Sequence, residues 1–193
     1  MPARNHYKRT DYAYTPNFCE ENIWWLGKDL VQSGMEVGHL SVLIFSNPAD
    51  EVLLFNQQSV DKEEGLICDY HVVLHQRYSS PAQIFDFDSR LAFPVSWFTY
   101  YQDTFADQAS LKSAYRLRIR VVPLGEYLRC FSSTRNHMLD GSGKPLCPFP
   151  DSLPIQSDVL VEAINWSSYV KKETPPGKGG EDYSTEDFLL AGL

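Results

Sequence analysis

An α+β fold, with an N-terminal helix packed on a mainly antiparallel sheet, is what this sequence predicts, and three observations predict it. Apolar residues recur at helical spacing behind a capping pattern near residue 17. Runs with strand character, bounded by turn-forming residues, then follow between residues 39 and 89. Helix-like and strand-like segments resume beyond residue 100 without any internal repeat.

The helix is expected within "NFCEENIWWLGKDLVQSG". Asn17 suits an N-cap, and Glu20, three residues on, can close a capping box. Glu20 and Glu21 also complement the positive end of the helix dipole. Ile23, Leu26 and Leu30 share a face with Cys19, and Gly34 offers a C-terminal stop. Cys19 therefore falls in the first turn, facing the protein. Residues 39–46 and 51–58 read as strands flanking "NPAD", whose Asn, Pro and Asp have turn chemistry. Residues 66–75 and 82–89 form the next strand pair. "QDTFADQASLKSAY" reads as a helix, "RLRIRVVPL" as a strand with Leu117, Ile119 and Val121 inward, and "GEYLRCFSS" as a short helix. Residues 134–156, rich in Pro and Gly, exceed a plain connector and are marked as a functional loop. Residues 174–184 read as an exposed linker to a short terminal helix capped by Thr185. One domain over residues 1–193 is expected, since a chain of 193 residues can bury a core without staples.

Composition removes several classes of function. Hydrophobic content of 43% with 13% aromatic residues is that of a globular chain. A net charge of −8 opposes phosphate backbones, so no nucleic-acid partner is expected. Arg116, Arg118 and Arg120, the one basic cluster, read as a solvated strand face. No run has the apolar length of a membrane span, and "MPARNHYKRTDYAYTPN" lacks the apolar core of a signal peptide. The four cysteines, Cys19, Cys68, Cys130 and Cys147, have neither C-x-x-C spacing nor a zinc pattern with histidine. A reducing compartment, the cytosol and by extension the nucleus, is the reading that follows. No metal or organic cofactor is expected.

The reactive groups lie in "CDYHVVLHQRYSSPAQIFDFD". Strand alternation puts Asp69, His71, Val73 and His75 on one face and Cys68, Tyr70 and Val72 on the other. A hairpin centred between Tyr78 and Ser79 sets His71 opposite Asp86, Asp69 opposite Asp88 and Val73 opposite Ile84. A histidine held by a carboxylate has its tautomer fixed and its charged form stabilised. Cys19 is the candidate nucleophile, because a helix N-terminus and a nearby imidazolium both lower a thiol pKa. Glu20 and Glu21 oppose that effect only if they point at the sulfur. Against this stand plainer readings: buried cysteines are commonly small hydrophobes, and His–Asp pairs on strands are commonly structural. His39, His75 and His137 are read as ordinary surface or partly buried residues, and Cys68 as packing.

At these residues the sequence resembles the protein N-terminal glutamine amidohydrolases. The resemblance is carried by "YTPNFCEENIW" from Tyr14 to Trp24, "DYHVVLH" from Asp69 to His75 and "FDFDSRLAFP" from Phe85 to Pro94. "NQQ" from Asn56, "RNHM" from Arg135 and the proline-rich stretch to Pro150 are similar as well. The family's usual tryptophan before Asp-Tyr-His-Val is Cys68 here. The resemblance implies a papain- or transglutaminase-like core and a triad of Cys19, His71 and Asp86, the three already chosen by spacing. It further implies deamidation of N-terminal glutamine in proteins or peptides, feeding degradation that reads protein N-termini.

Restriction to a chain terminus requires a group that pairs with a free α-ammonium. Asp69, Asp88, Glu20 and Glu21 are the candidates, and the sequence leaves the choice among them open. A monomer acting on protein or peptide substrates is expected. The competing readings are a papain-like protease, a transglutaminase, and a non-enzymatic module that binds peptide ends.

Overall fold

A computed structural model describes residues 7–156, 164–165 and 180–191. In chain order its strands are β1 (Leu40–Ser46), β2 (Val52–Leu54), β3 (Leu66–Cys68), β4 (His71–Gln76), β5 (Gln83–Phe85), β6 (Val95–Ser96), β7 (Arg118–Pro123), β8 (Phe131–Ser132), β9 (Ile164–Asn165) and β10 (Glu181–Ser184). The helices are α1 (Cys19–Gln32), α2 (Trp97–Thr104), α3 (Leu124–Cys130) and α4 (Thr185–Leu190). Six strands make one sheet in the order β10-β7-β1-β4-β5-β6, every neighbouring pair antiparallel. The expected α+β class with a mainly antiparallel sheet is what forms.

Both faces of the central strands are covered, which explains why Val42–Phe45 of "LSVLIFS" is a continuous apolar run rather than alternating. Val42, Ile44, Val72 and Leu74 face Ile23, Leu26 and Leu30 of α1 together with Leu124 and Tyr127 of α3. Leu43, Phe45, Val73, Ile119 and Val121 face Trp97 and Tyr100 of α2 and Phe188 of α4. The apolar stripe read for α1 is thus its buried face. Gly34, at φ +97°, ends that helix: its N–H bonds the Val31 carbonyl and the Met35 N–H bonds that of Leu30. This is a Schellman cap, and the backbone conformation is the reason for glycine.

Several expected boundaries move. The helix expected at 102–115 lies earlier, at Trp97–Thr104, because Ser96 caps it by accepting from the Thr99 N–H. The strand expected over 66–75 breaks at Asp69–Tyr70, leaving β3 on β2 and β4 between β1 and β5. The expected hairpin register is displaced by two residues, so Ile84 stands opposite His75 rather than Val73. A two-residue displacement leaves every side chain on its expected face. Residues 181–184 are not linker but the edge strand β10, while residues 174–179 lie outside the described residues. Ser184, rather than Thr185, caps α4. Arg120 leaves the solvated face expected of it. It is buried and makes two bonds to Asp182 (3.0 and 3.2 Å), tying β10 to β7. Arg116 and Arg118 are exposed.

His75 is likewise not a surface residue. It has no exposed area, and its ring lies near those of Trp97 and Phe188. Neither ring nitrogen has a hydrogen bond among the described residues. Burial, helped by the charge of Arg77, lowers its pKa from 6.5 to about 4. The neutral ring is therefore the native form. Its contribution to stability is complete above pH 6.5 and is lost as the pH falls toward 4, where only the unfolded chain readily takes the proton. Urea unfolding of the wild type and of His75→Leu at pH 7 and pH 4 should show the wild type losing about 3 kcal/mol more than the variant. Equal losses would mean that His75 does not titrate in the folded state as this packing demands.

Candidate active site

Cys19 opens α1, but not by the expected cap. Phe18 occupies the cap position without a side-chain hydrogen bond, and Asn17 lies before it in the left-handed region at φ +68°. The entering chain is held instead by Asn22, whose Oδ1 accepts from the Thr15 N–H at 2.9 Å while its Nδ2 donates to the Thr15 carbonyl at 2.8 Å. As first residue of the helix, Cys19 has a backbone N–H with no intrahelical acceptor. That donor is free to serve an anion at the helix start.

His71 begins β4, on the α2 side of the sheet. β5 ends at Phe85, and Asp86 then bends out of the ladder toward the imidazole. His71 Nε2 lies 3.0 Å from Asp86 Oδ2, and both residues are buried. Tyr100 of α2 donates to the same Oδ2 at 2.8 Å, and the Asp88 N–H donates to Oδ1 at 2.9 Å. Burial alone would raise the Asp86 pKa, but His71 and these donors outweigh it and hold the carboxyl below its ordinary value. An ionised carboxylate only accepts, so His71 donates from Nε2 and keeps its lone pair on Nδ1. Burial pulls His71 down, yet Asp86 and Asp88 overcome this and leave its pKa raised. Tyr100 was not anticipated. Its role depends on helix α2 crossing beneath Asp86, which no local pattern announces.

Cys19, His71 and Asp88 line one cavity of about 290 Å³. Cys68, Gln57 and His137 line it too. The expected lowering of the Cys19 pKa is overturned. Burial pushes the thiol well up, and Glu20, Asp88 and Cys68 add to the effect, offset in part by the Val72 backbone N–H. The carboxylate of Glu20 does point at the sulfur, with Oε2 3.6 Å from Sγ. Cys68 does not sit away from His71 as alternation required, because the break at Asp69–Tyr70 returns it to the cavity. Its thiol is pushed up to about 12, first by burial and then by Asp69 and Asp88.

The four carboxylates considered for an ammonium part company. Glu21 is buried and occupied: Arg135 donates to both oxygens at 2.7 Å, and Ser133 Oγ donates to Oε1 at 2.6 Å. Glu20 has no exposed area and lies 3.4 Å from His137 Nε2, a contact that helps raise the His137 pKa. Asp69 is an exposed rim residue whose Oδ1 accepts from the Tyr70 N–H. Asp88 is half-buried in the cavity wall, where Tyr14 donates to its Oδ1 at 2.5 Å. His137 is a surface residue with a partly buried side chain, as expected, and it also lines the cavity. It comes from the 134–156 loop, which is fastened to α1 through Arg135 and supplies Met138 to the same cavity.

Among known proteins, the profile of the N-terminal glutamine amidase family matches residues 14–190, further than the 14–150 over which the motifs are readable. The protein N-terminal glutamine amidohydrolase of Danio rerio is 33% identical over 92% of this chain and 87% of its own length. The Homo sapiens protein of that name is 32% identical over 77% of this chain and 78% of its own. That of Bos taurus is 29% identical over 98% and 93%.

The Glu21–Arg135 pair has a measurable signature. Removing one partner strands a buried charge, so Arg135→Met should lower the unfolding free energy by about 3–5 kcal/mol. Adding Glu21→Gln to that variant should restore a substantial part. Additive losses in the double variant, measured in urea, would show that the two side chains are not coupled in the folded protein.

Proposed function

The chain belongs to the N-terminal glutamine amidase family, and on that premise we infer that it hydrolyses the side-chain amide of an N-terminal glutamine to glutamate and ammonia. The observation that carries the reading is a single cavity walled by both the Cys19 thiol and the imidazole of a buried His–Asp pair. An α1-like helix delivering the cysteine onto an antiparallel sheet is also consistent with a papain- or transglutaminase-like core.

The chemistry follows from the resting states. Because the Cys19 pKa is raised, the thiol begins protonated and its proton passes to His71 Nδ1 as sulfur attacks the δ-carbon of the glutamine side chain. The carbonyl π pair moves to oxygen, and the Cys19 backbone N–H donates to the oxyanion. Collapse expels the amide nitrogen, which takes the proton from His71 and leaves as ammonia, giving a thioester. Water then loses a proton to His71 as it attacks the thioester, and Cys19 departs with that proton. Asp86 stabilises the imidazolium that forms twice in the cycle, while Tyr100 helps hold Asp86 in place. All of these steps are performed by groups of the chain itself and water. The new N-terminal glutamate would feed degradation that reads protein N-termini, and the four free cysteines suit a reducing compartment.

Incubation with a Gln-initiated peptide should release ammonia and add roughly one dalton to the peptide, the exchange of an amide nitrogen for oxygen. Cleavage of internal bonds would instead indicate a protease, and amine incorporation a transglutaminase. Cys19→Ala should abolish turnover with little loss of stability, and ammonia release by that variant would exclude the thioester route. The acid limb of kcat/KM should lie above pH 6.5, since the raised His71 must lose its proton before it can accept one from the thiol. Asp86→Asn should move that limb downward and reduce kcat by several orders of magnitude, up to about 10⁴. An unmoved limb would detach Asp86 from the reaction.

A further inference from the structure

We propose that Asp88 and Gln57 together form the subsite for the substrate's α-ammonium group. This rests on the deamidase reading and says how that reaction is confined to a chain terminus.

Both residues line the cavity that holds Cys19 and His71. The segments that carry them, residues 56–58 and 88–90, are paired to each other, which holds both in the wall of that cavity. The Gln58 N–H bonds the Asp88 carbonyl at 2.7 Å, the Arg90 N–H bonds that of Asn56 at 2.7 Å, and Gln57 bridges to Ser89. What they offer is acceptors. Tyr14 fixes Asp88 through Oδ1, and Oδ2 makes no hydrogen bond among the described residues. Gln57 is fully buried, yet its Oε1 has no partner among them. Its orientation is not arbitrary, because Nε2 donates to the Phe55 carbonyl at 3.3 Å and a flipped amide would set two oxygens face to face.

A buried carbonyl oxygen without a donor from the protein costs stability, so it is a place where a ligand N–H gains a bond. The Asp88 carboxylate, in the wall of the same cavity, selects charge. Burial and the charge of Asp86 keep the Asp88 pKa up, and the nearest guanidinium, Arg9, spends its Nη2 on the carbonyls of Asp86 and Leu91. A ligand that carries several N–H donors and a positive charge satisfies both residues together, and a primary ammonium is such a group. An acylated or internal glutamine presents one neutral N–H and leaves Asp88 without its ion. Glu20 is the weaker candidate: its Oε1 also lacks a hydrogen bond among the described residues, but it is not among the residues lining the cavity, and its carboxylate faces Cys19 Sγ and His137.

Binding can be measured without turnover in the Cys19→Ala protein, using a Gln-initiated peptide and its desamino counterpart with hydrogen in place of the α-amino group. Calorimetry should show the amine form bound at least about 30-fold more tightly. Asp88→Asn in that background should reduce the preference to a few-fold, and Gln57→Leu should reduce it about tenfold. Glu20→Gln and Asp69→Asn should preserve it. Should Gln57→Leu fail to fold, Asp88→Asn, at a half-buried position, decides the matter alone. An intact preference in Asp88→Asn, no preference in the Cys19→Ala protein, or its loss in Glu20→Gln would overturn the assignment. Ammonia release by the unmutated enzyme is followed in parallel. Amine-selective binding through Asp88 without ammonia release would sink the deamidase reading and leave the subsite standing.

Discussion

A carboxylate cannot be buried as an ion unless donors replace its water, and Asp86 is a carboxylate with almost no exposed surface. Its donors come from three places: His71 at the start of β4, Tyr100 on α2, and the backbone at Asp88. Satisfying Asp86 therefore fixes how α2 crosses the sheet, where β5 stops pairing, and which nitrogen of His71 carries its proton. The tautomer is a product of packing as much as of chemistry. An apolar residue at this position would leave Tyr100 and His71 each lacking an acceptor in the core.

A second buried charge organises the other side of the cavity. Glu21 meets Arg135 through a bidentate pair and takes a third bond from Ser133. Arg135 also donates to the carbonyls of Pro150 and Ser152, and its guanidinium lies over Phe18 and Phe149. The long proline-rich loop is thereby clamped to the first turn of α1, and His137 and Met138 are carried to the cavity wall. Adjacent glutamates in one sequence block thus do different things. Glu21 binds the loop to the helix, while Glu20 faces the sulfur and His137.

The surroundings of Cys19 favour a neutral thiol at rest. Helix polarity is present, but it acts against burial and against three neighbouring groups that carry or can acquire negative charge. A thiol held this way becomes a nucleophile only when its proton has somewhere to go, and His71 is a basic group lining the same cavity. On the proposed mechanism the raised pKa of His71 matches the raised pKa of Cys19: Asp86 supports the charged imidazole, and the thiol that would give it a proton is a weak acid.

The helix that opens at Cys19 and the face on which His71 meets Asp86 were legible in the sequence because helical spacing and strand parity are local signals. Helical spacing set Cys19 at a helix start, and strand parity set the face of His71. Parity even survived a register error, since a displacement of two residues returns every side chain to the same face. Contacts between distant segments were not legible. The α1 cap through Asn22, the acceptance of Tyr100 by Asp86, the clamp of Arg135 on Glu21 and the burial of Arg120 against Asp182 join residues 7 to 114 positions apart. Charged residues pair in space across any sequence separation, whereas periodicity reports only on the element that contains them. Cys68 shows the limit most plainly: alternation sent it away from His71, and one break at Asp69–Tyr70, required so that β3 could pair with β2 and β4 with β1, brought it back to the cavity. The sequence by itself determined the α+β class, the helix that begins at Cys19 and the approach of His71 to Asp86. Only the tertiary structure decided the protonation states and the partner of each buried charge, because desolvation and Coulomb interaction depend on distances that no one-dimensional pattern holds.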